Sequence, residues 1–287
     1  MVVVDSHTHA WATWPYQPPV PDASTRGSVE QLIYEMDLNG TDRAVIVSAR
    51  IDDNPDNNDY GAAAVRRYPN RLHQFADVDC VWMPEHHAPG AVARLTETAD
   101  RLPIDGFTHY VRQDNDGWFR SEEGRAFFRT ATERGLIASV AMSPAWADDL
   151  GAIADENPSL VILLHHMAGI RASGGRAAFD AVARLARRPN IYIKLSGFHY
   201  AADDGQGYDY PHPEGMWIAE GLYRAFGPKR LCWGSDFPAL SRYMTYRQAV
   251  EVVRTHCRFL DPADFEWIFG RTLDGLLRQA ASKRNIA

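Results

Sequence analysis

Four stretches of this 287-residue chain carry side chains that can do chemistry together. In Asp5-Ser6-His7-Thr8-His9, side chains on an extended strand alternate between its faces, so His7 and His9 share a face and can grip one cation. Leu164-His165-His166-Met167 sets two histidines side by side. Neighbours on a strand point oppositely, so one of the two, taken here as His166, enters the same space. Trp233-Gly234-Ser235-Asp236-Phe237-Pro238 adds a carboxylate, and Gly106-Phe107-Thr108-His109 another imidazole. Three imidazoles and one carboxylate with room for water suit a single Zn²⁺, with Mn²⁺ or Fe²⁺ as alternatives, and the set is His7, His9, His166 and Asp236. Such a cation lowers the pKa of a bound water and polarises a carbonyl. Asp236 is then the base that takes the water's proton and returns it to the leaving oxygen, with His109 or His199 as donor to the developing oxyanion.

These groups must be brought to one end of one sheet. Short apolar, β-branched runs recur at 2–5, 44–48, 73–77, 104–109, 137–141, 160–165, 191–195 and 231–234. Stretches with helical spacing separate them, at 28–39, 88–101, 122–134, 145–157, 177–187 and 213–226. Gly40, Gly135 and Gly227 punctuate helix ends. Eight strands alternating with helices predict an α/β fold, a (β/α)8 TIM barrel spanning 1–287 as one domain. Segments 246–255 and 262–278 supply the closing helix and one extra C-terminal helix. Catalytic groups of such barrels sit at the C-terminal ends of the strands, where the four stretches fall.

Composition narrows the partners. Thirty Lys and Arg against 37 Asp and Glu give a net charge of −7, which disfavours nucleic acid and anionic membranes and points to a small-molecule substrate. Three scattered cysteines form no disulfide framework, no run approaches a membrane span, and the N-terminus has no leader pattern; a cytoplasmic protein is expected, with a homodimer as the base-rate assembly. No GxGxxG follows a strand and no GxSxG elbow is present, which argues against dinucleotide binding and serine hydrolysis. The fourth strand ends without a lysine able to bridge two metals, so a metal site would be mononuclear.

Taken in order, the HxH of the first strand, the histidine ending the sixth and Gly234-Ser235-Asp236-Phe237-Pro238 at the eighth resemble the amidohydrolase superfamily. His7-Thr8-His9-Ala10-Trp11, Lys194-Leu195-Ser196-Gly197 and the stretch from Gln113-Asp114 to Trp118 are similar to its lactonase-like subgroup, which acts on sugar lactones and pyrone dicarboxylates. The resemblance implies hydrolysis of a cyclic ester. It also implies that the histidines can polarise the substrate without a metal, as in some relatives. Thr108 stands where that subgroup carries arginine, which removes a bidentate carboxylate grip and disfavours a dicarboxylate substrate. Two other functions compete: a metal-dependent non-oxidative decarboxylase of the same superfamily, and a barrel that binds a ligand without turning it over.

The segments expected at the mouth are aromatic, including Trp11, Trp14, Tyr16, Tyr110, Trp118, Phe198, Tyr200, Tyr208, Tyr210 and Trp217, which favours a flat or hydrophobic ligand. Trp11, Tyr110, Arg112, Phe198 and His199 are the expected substrate contacts, with Arg112 the substitute cation. Residues 201–207 are polar and glycine-containing, as in a mobile lid. His86-His87 is expected on the surface, Asp52 to Asp59 in helix capping, and Cys232 buried and inert.

Overall fold

The computed structural model describes residues 1–202 and 209–284. Eight strands lie parallel in chain order: β1 (Val4–Thr8), β2 (Arg43–Val47), β3 (Leu72–Asp77), β4 (Gly106–Tyr110), β5 (Ile137–Ala141), β6 (Ile162–Leu164), β7 (Ile191–Leu195) and β8 (Leu231–Trp233). Helices α1 (Val29–Asn39), α2 (Asn57–Arg67), α3 (Ala91–Arg101), α4 (Glu122–Glu133), α5 (Ala147–Glu156), α6 (Gly175–Ala183), α7 (Phe198–Ala202), α8 (Pro213–Phe226) and α9 (Tyr246–Glu251) intervene or follow, and α10 (Thr272–Arg284) ends the described chain. This is the expected (β/α)8 barrel with an extra C-terminal helix. No helix among the described residues is long and apolar enough to cross a membrane.

Helix α2 was expected only through the capping role of Asp52 to Asp59, with no range of its own. It buries Asn57, Asn58, Gly61, Ala62 and Ala64 in place of an apolar stripe. A Cβ on Gly61 would lie 2.6 Å from the Gln74 amide nitrogen, so the missing side chain lets α2 approach β3. The expected capping by the acidic run does not occur in that form: the Asp56 side chain makes no cap hydrogen bond, and Asp59 pairs with Arg101.

The barrel interior is layered. Val4, Val45, Val47, Phe75, Ile137, Leu163 and Cys232 form an apolar floor, closed from below by Leu273, Leu276 and Leu277 of α10. Above it β1 bulges. Asp5 is level with Ala44, but Thr8 is level with Ile46, so β1 spends one residue more than β2. A bulge inverts the facing of everything beyond it. Val4 therefore points into the floor, Asp5 points out toward Tyr246, and His7 and His9 point in.

Closure between β8 and β1 rests on few backbone contacts: Thr8 bridges Phe237, Asp236 N–H donates to His7 O (2.8 Å) and His9 N–H to Phe237 O (2.6 Å). The Asp5 carboxylate spans the same seam. Its Oδ1 accepts from the N–H of Ser235 (2.9 Å) and of His7 (3.1 Å), and its Oδ2 accepts from the Tyr246 hydroxyl (2.7 Å). Burial pushes this carboxyl up to about 6, against the donors that favour its charge. Replacing Tyr246 by Phe removes one donor from a fully buried carboxylate. A loss of about 1.5–3 kcal/mol is expected in denaturant unfolding, and an unchanged midpoint would show that the seam is not held there.

Candidate active site

Above the apolar floor, the interior turns polar. Lys194 of β7 is fully buried, and its Nζ lies 2.8 Å from Ser139 Oγ and 3.0 Å from His7 Nδ1. Ser139 Oγ in turn lies 2.6 Å from His165 Nε2. Burial lowers the Lys194 ammonium to about 7, partly countered by Cys232, Asp5 and Asp236.

The next layer up is the convergence that the sequence indicated. His7 Nε2 lies 3.2 Å from His9 Nε2, and Asp236 Oδ1 lies 3.5 Å from His7 Nε2, 3.4 Å from His9 Nε2 and 3.8 Å from His166 Nε2. Asp236 itself is 1% exposed. Burial pushes its carboxyl up, but His166, His9 and His199 outweigh that effect and hold it at about 2, so it is ionised at neutral pH. Tyr200, on α7, donates its hydroxyl to Asp236 Oδ2 at 2.9 Å, leaving Oδ1 facing the three imidazoles. Burial lowers His7 well below the usual imidazole range and His166 to about 4, so both are neutral.

Local backbone explains how His166 arrives. β6 stops at Leu164, and His166, Met167, Ala168 and Gly169 all have positive φ. The strand rule that sends one of two adjacent histidines away therefore no longer applies. Both rings reach the interior: His165 lies edge-on to His7 at 4.5 Å between centroids, and His166 is 4.4 Å from the same ring. Gly197 makes room for the second, since a Cβ there would lie 2.8 Å from both His166 Cβ and Tyr200 Cδ2.

The donor set fits a divalent cation. His7, His9 and Asp236, 3.2–3.5 Å apart, are near the ligand-to-ligand edge of a tetrahedron with bonds of about 2.0–2.2 Å, while His166 Nε2, 3.8 Å from Asp236 Oδ1, stands looser from that trio and groups with His7 and His165. His9 Nδ1 lies 2.6 Å from the Val47 carbonyl, which can only accept; Nδ1 therefore carries a proton, and Nε2 is the nitrogen left to face a cation. His166 Nδ1 has the Ser196 hydroxyl at 3.1 Å. His7 is the exception, because its Nδ1 faces an amine. A charged Lys194 donates to Nδ1 and places the His7 proton on Nε2, directed at His9. A neutral Lys194 accepts from Nδ1–H and frees Nε2 to ligate. The site thus has one hydrogen-bonded arrangement without a cation and one open to it.

The remaining expected residues divide. Tyr110 lines a cavity of about 180 Å³ with Gln113, Met142, His165, His166 and Tyr200. His199 is buried beside the site, stacked on Tyr243 at 4.4 Å, with neither ring nitrogen bonded; burial lowers it to about 3. His109 is not brought to Asp236. It shares a face of β4 with Phe107, opposite Thr108 and Tyr110, and packs among His87, Trp118 and Phe127 in the helix layer. Trp11 is fully buried and stacks on His9 at 4.7 Å, bracing that ring where a substrate wall was expected. Phe198 joins the apolar core, and Arg112 is exposed and does not line the cavity. Trp217 packs with Phe179 against α6, away from the mouth. Of the expected lid, Ala201 and Ala202 end α7, while 203–207, like Tyr208, lie outside the described residues. Lys194, Ser139 and Asp5 were not assigned roles from sequence; a lysine on an inward position of a barrel strand is the signal that could have found the first.

Comparison with known proteins agrees with this architecture. Across residues 4–272 the chain matches the family model described as amidohydrolase. It is 36% identical over 109 residues to the L-fucono-1,5-lactonase of Burkholderia ambifaria, a match that covers 36% of this chain and 35% of that protein, so it spans about a third of the curated relative's length. Its fold is similar to an amidohydrolase of Burkholderia multivorans with bound zinc, at a TM-score of 0.76 and 19% identity over 97% of this chain and 99% of that one. It is likewise similar to a probable 2-pyrone-4,6-dicarboxylic acid hydrolase of Acinetobacter baumannii with citric acid bound, at 0.74 and 19% over 97% and 100%. With the family model covering nearly the whole barrel and the histidine and aspartate strand ends in place, the chain belongs to the amidohydrolase family of enzymes.

Proposed function

We propose that this enzyme opens a small cyclic ester by adding water to its carbonyl. The observation that carries the reading is Asp236: a buried carboxylate, ionised at neutral pH, fixed on one oxygen by Tyr200 and presenting the other to three imidazoles beside a cavity of about 180 Å³. That volume suits a ligand smaller than the occupants of typical 300–1,000 Å³ pockets, such as a single-ring lactone. The names of the lactonase and of the pyrone dicarboxylate hydrolase to which the chain is similar support the same chemistry.

In this mechanism Asp236 Oδ1 takes the proton of the attacking water and later delivers it to the ring oxygen as the ester bond breaks. Tyr200 keeps the carboxylate from rotating and so directs Oδ1 at the water. Tyr110 and Gln113 orient the ring in the cavity. His199, whose ring nitrogens are buried and have no hydrogen-bond partner among the described residues, does not line the cavity and acts instead on Asp236, helping to hold it ionised. His7, His9, His166 and Asp236 would hold Zn²⁺, which when bound would lower the pKa of water and polarise the carbonyl. Thr108 gives the inner wall of β4 a hydroxyl where a guanidinium would hold a carboxylate, which favours a neutral lactone over a dicarboxylate.

The test is a panel of aldonic-acid lactones and pyrone carboxylates, followed by base-titrated acid release with parallel CO₂ detection. Acid release without CO₂ is expected, and Asp236→Asn should lower kcat/KM by about 10²–10⁴-fold while the protein still melts cooperatively. Full activity in Asp236→Asn removes the assigned base, and CO₂ release transfers the enzyme to the decarboxylases. Gly197→Ala tests the positioning of His166 and Tyr200. The added methyl displaces both rings, and kcat/KM should fall by roughly 10²-fold. Wild-type turnover in that variant would show that neither ring needs its present place.

A further inference from the structure

A second group of imidazoles lies on the other face of β4, apart from Asp236. His87 and His109 approach Nε2 to Nε2 at 3.2 Å. The Nδ1 of each is committed elsewhere: that of His109 lies 3.1 Å from the Val78 carbonyl, and that of His87 lies 2.6 Å from Asp116 Oδ2. Both partners only accept, so both ring protons sit on Nδ1, and two bare lone pairs face each other across 3.2 Å. Burial lowers both rings below the usual imidazole range, which keeps them neutral and removes the proton that would otherwise bridge them.

His86 extends the pattern. Expected on the surface, it is 92% buried, from its 8% exposure, and its Nδ1 lies 2.7 Å from the Asp79 carbonyl. Its Nε2 is buried with no hydrogen-bond partner, and its ring stacks on His87 at 3.7 Å. Asp79, His86 and His87 each bring one ligand atom mutually within 4.8 Å, a grouping that shares His87 with the His87–His109 pair and leaves His109 at its edge. Arg94 engages Asp79 Oδ1 and the His87 N–H engages Oδ2, which still leaves lone pairs on a carboxylate that has about four.

We propose that His87 and His109, with Asp79 and His86 beside them, form a second divalent-cation site of Zn²⁺ type. Two nitrogens on a tetrahedral ion with bonds of about 2.0–2.1 Å stand roughly 3.3 Å apart, close to the spacing present. Donation of each Nδ1–H to an oxygen is the outer-shell arrangement that fixes metal-binding histidines. The site takes no part in the lactone chemistry proposed for Asp236. It ties the β3–α3 loop to β4.

The experiment is calorimetric titration of the chelator-stripped full chain with ZnSO₄, in the wild type, in His9→Ala and in His87→Gln. His87→Gln should take one Zn²⁺ equivalent fewer than the wild type, and His9→Ala should keep that extra equivalent, while His87→Gln keeps wild-type turnover. Asp116→Asn, altering an accessible carboxylate, is the second variant should His87→Gln fold poorly, and should weaken that equivalent by about 10–100-fold. Absence of that extra equivalent from His9→Ala overturns the proposal. So does its retention in His87→Gln, or ¹⁵N spectra showing His87 as an imidazolium shared with His109 at neutral pH.

Discussion

The seam between β8 and β1 is the constraint on which the site depends. Every other neighbouring pair of strands is joined by a ladder, but this one is closed by a single bridge, two loop hydrogen bonds, a long hydrogen bond from the Ser6 hydroxyl to the Cys232 carbonyl and the Asp5 carboxylate. Those few bonds are also what set Asp236 against His7 and His9, because Ser235 and His7 donate to the same oxygen of Asp5. The bulge in β1 lets one short strand do two jobs: it turns Asp5 outward to Tyr246 and His7 inward to Asp236. A barrel closed by ordinary pairing there would carry the same residues with different facings.

Beneath the site, Lys194 couples structure to proton placement. A lysine with no exposure is costly unless its hydrogen bonds are met, and Ser139 and His7 meet them. The same contact decides which nitrogen of His7 carries the proton, and therefore whether His7 acts toward the cavity as donor or as ligand. The polar stack from Lys194 through His7 to Asp236 is continuous, and the apolar plug of Leu273, Leu276 and Leu277 closes the barrel beneath it.

Much of this was legible in the sequence. The eight apolar runs located all the strands, and the period-two spacing of His7 and His9 placed them on one face, since both lie beyond the bulge. Where the reading departed from the structure, a local reason can be named. α2 was implied by the capping expectation but left without a range, because it packs through Asn and small residues rather than an apolar stripe. His165 and His166 both reach the interior because the strand has ended before them. His109 was assigned to the mouth although alternation on β4 sends it out whenever Tyr110 points in. Trp11 was read as a substrate wall because sequence cannot distinguish an aromatic facing a cavity from one stacked behind a functional ring.

The most direct test of the central claim is to follow the fate of solvent oxygen during turnover of a lactone in H₂¹⁸O. Water attack at the carbonyl predicts one ¹⁸O in the product carboxylate, none in the released hydroxyl, and no CO₂. Label in the hydroxyl, or CO₂ formed without solvent oxygen entering the organic product, would contradict the account.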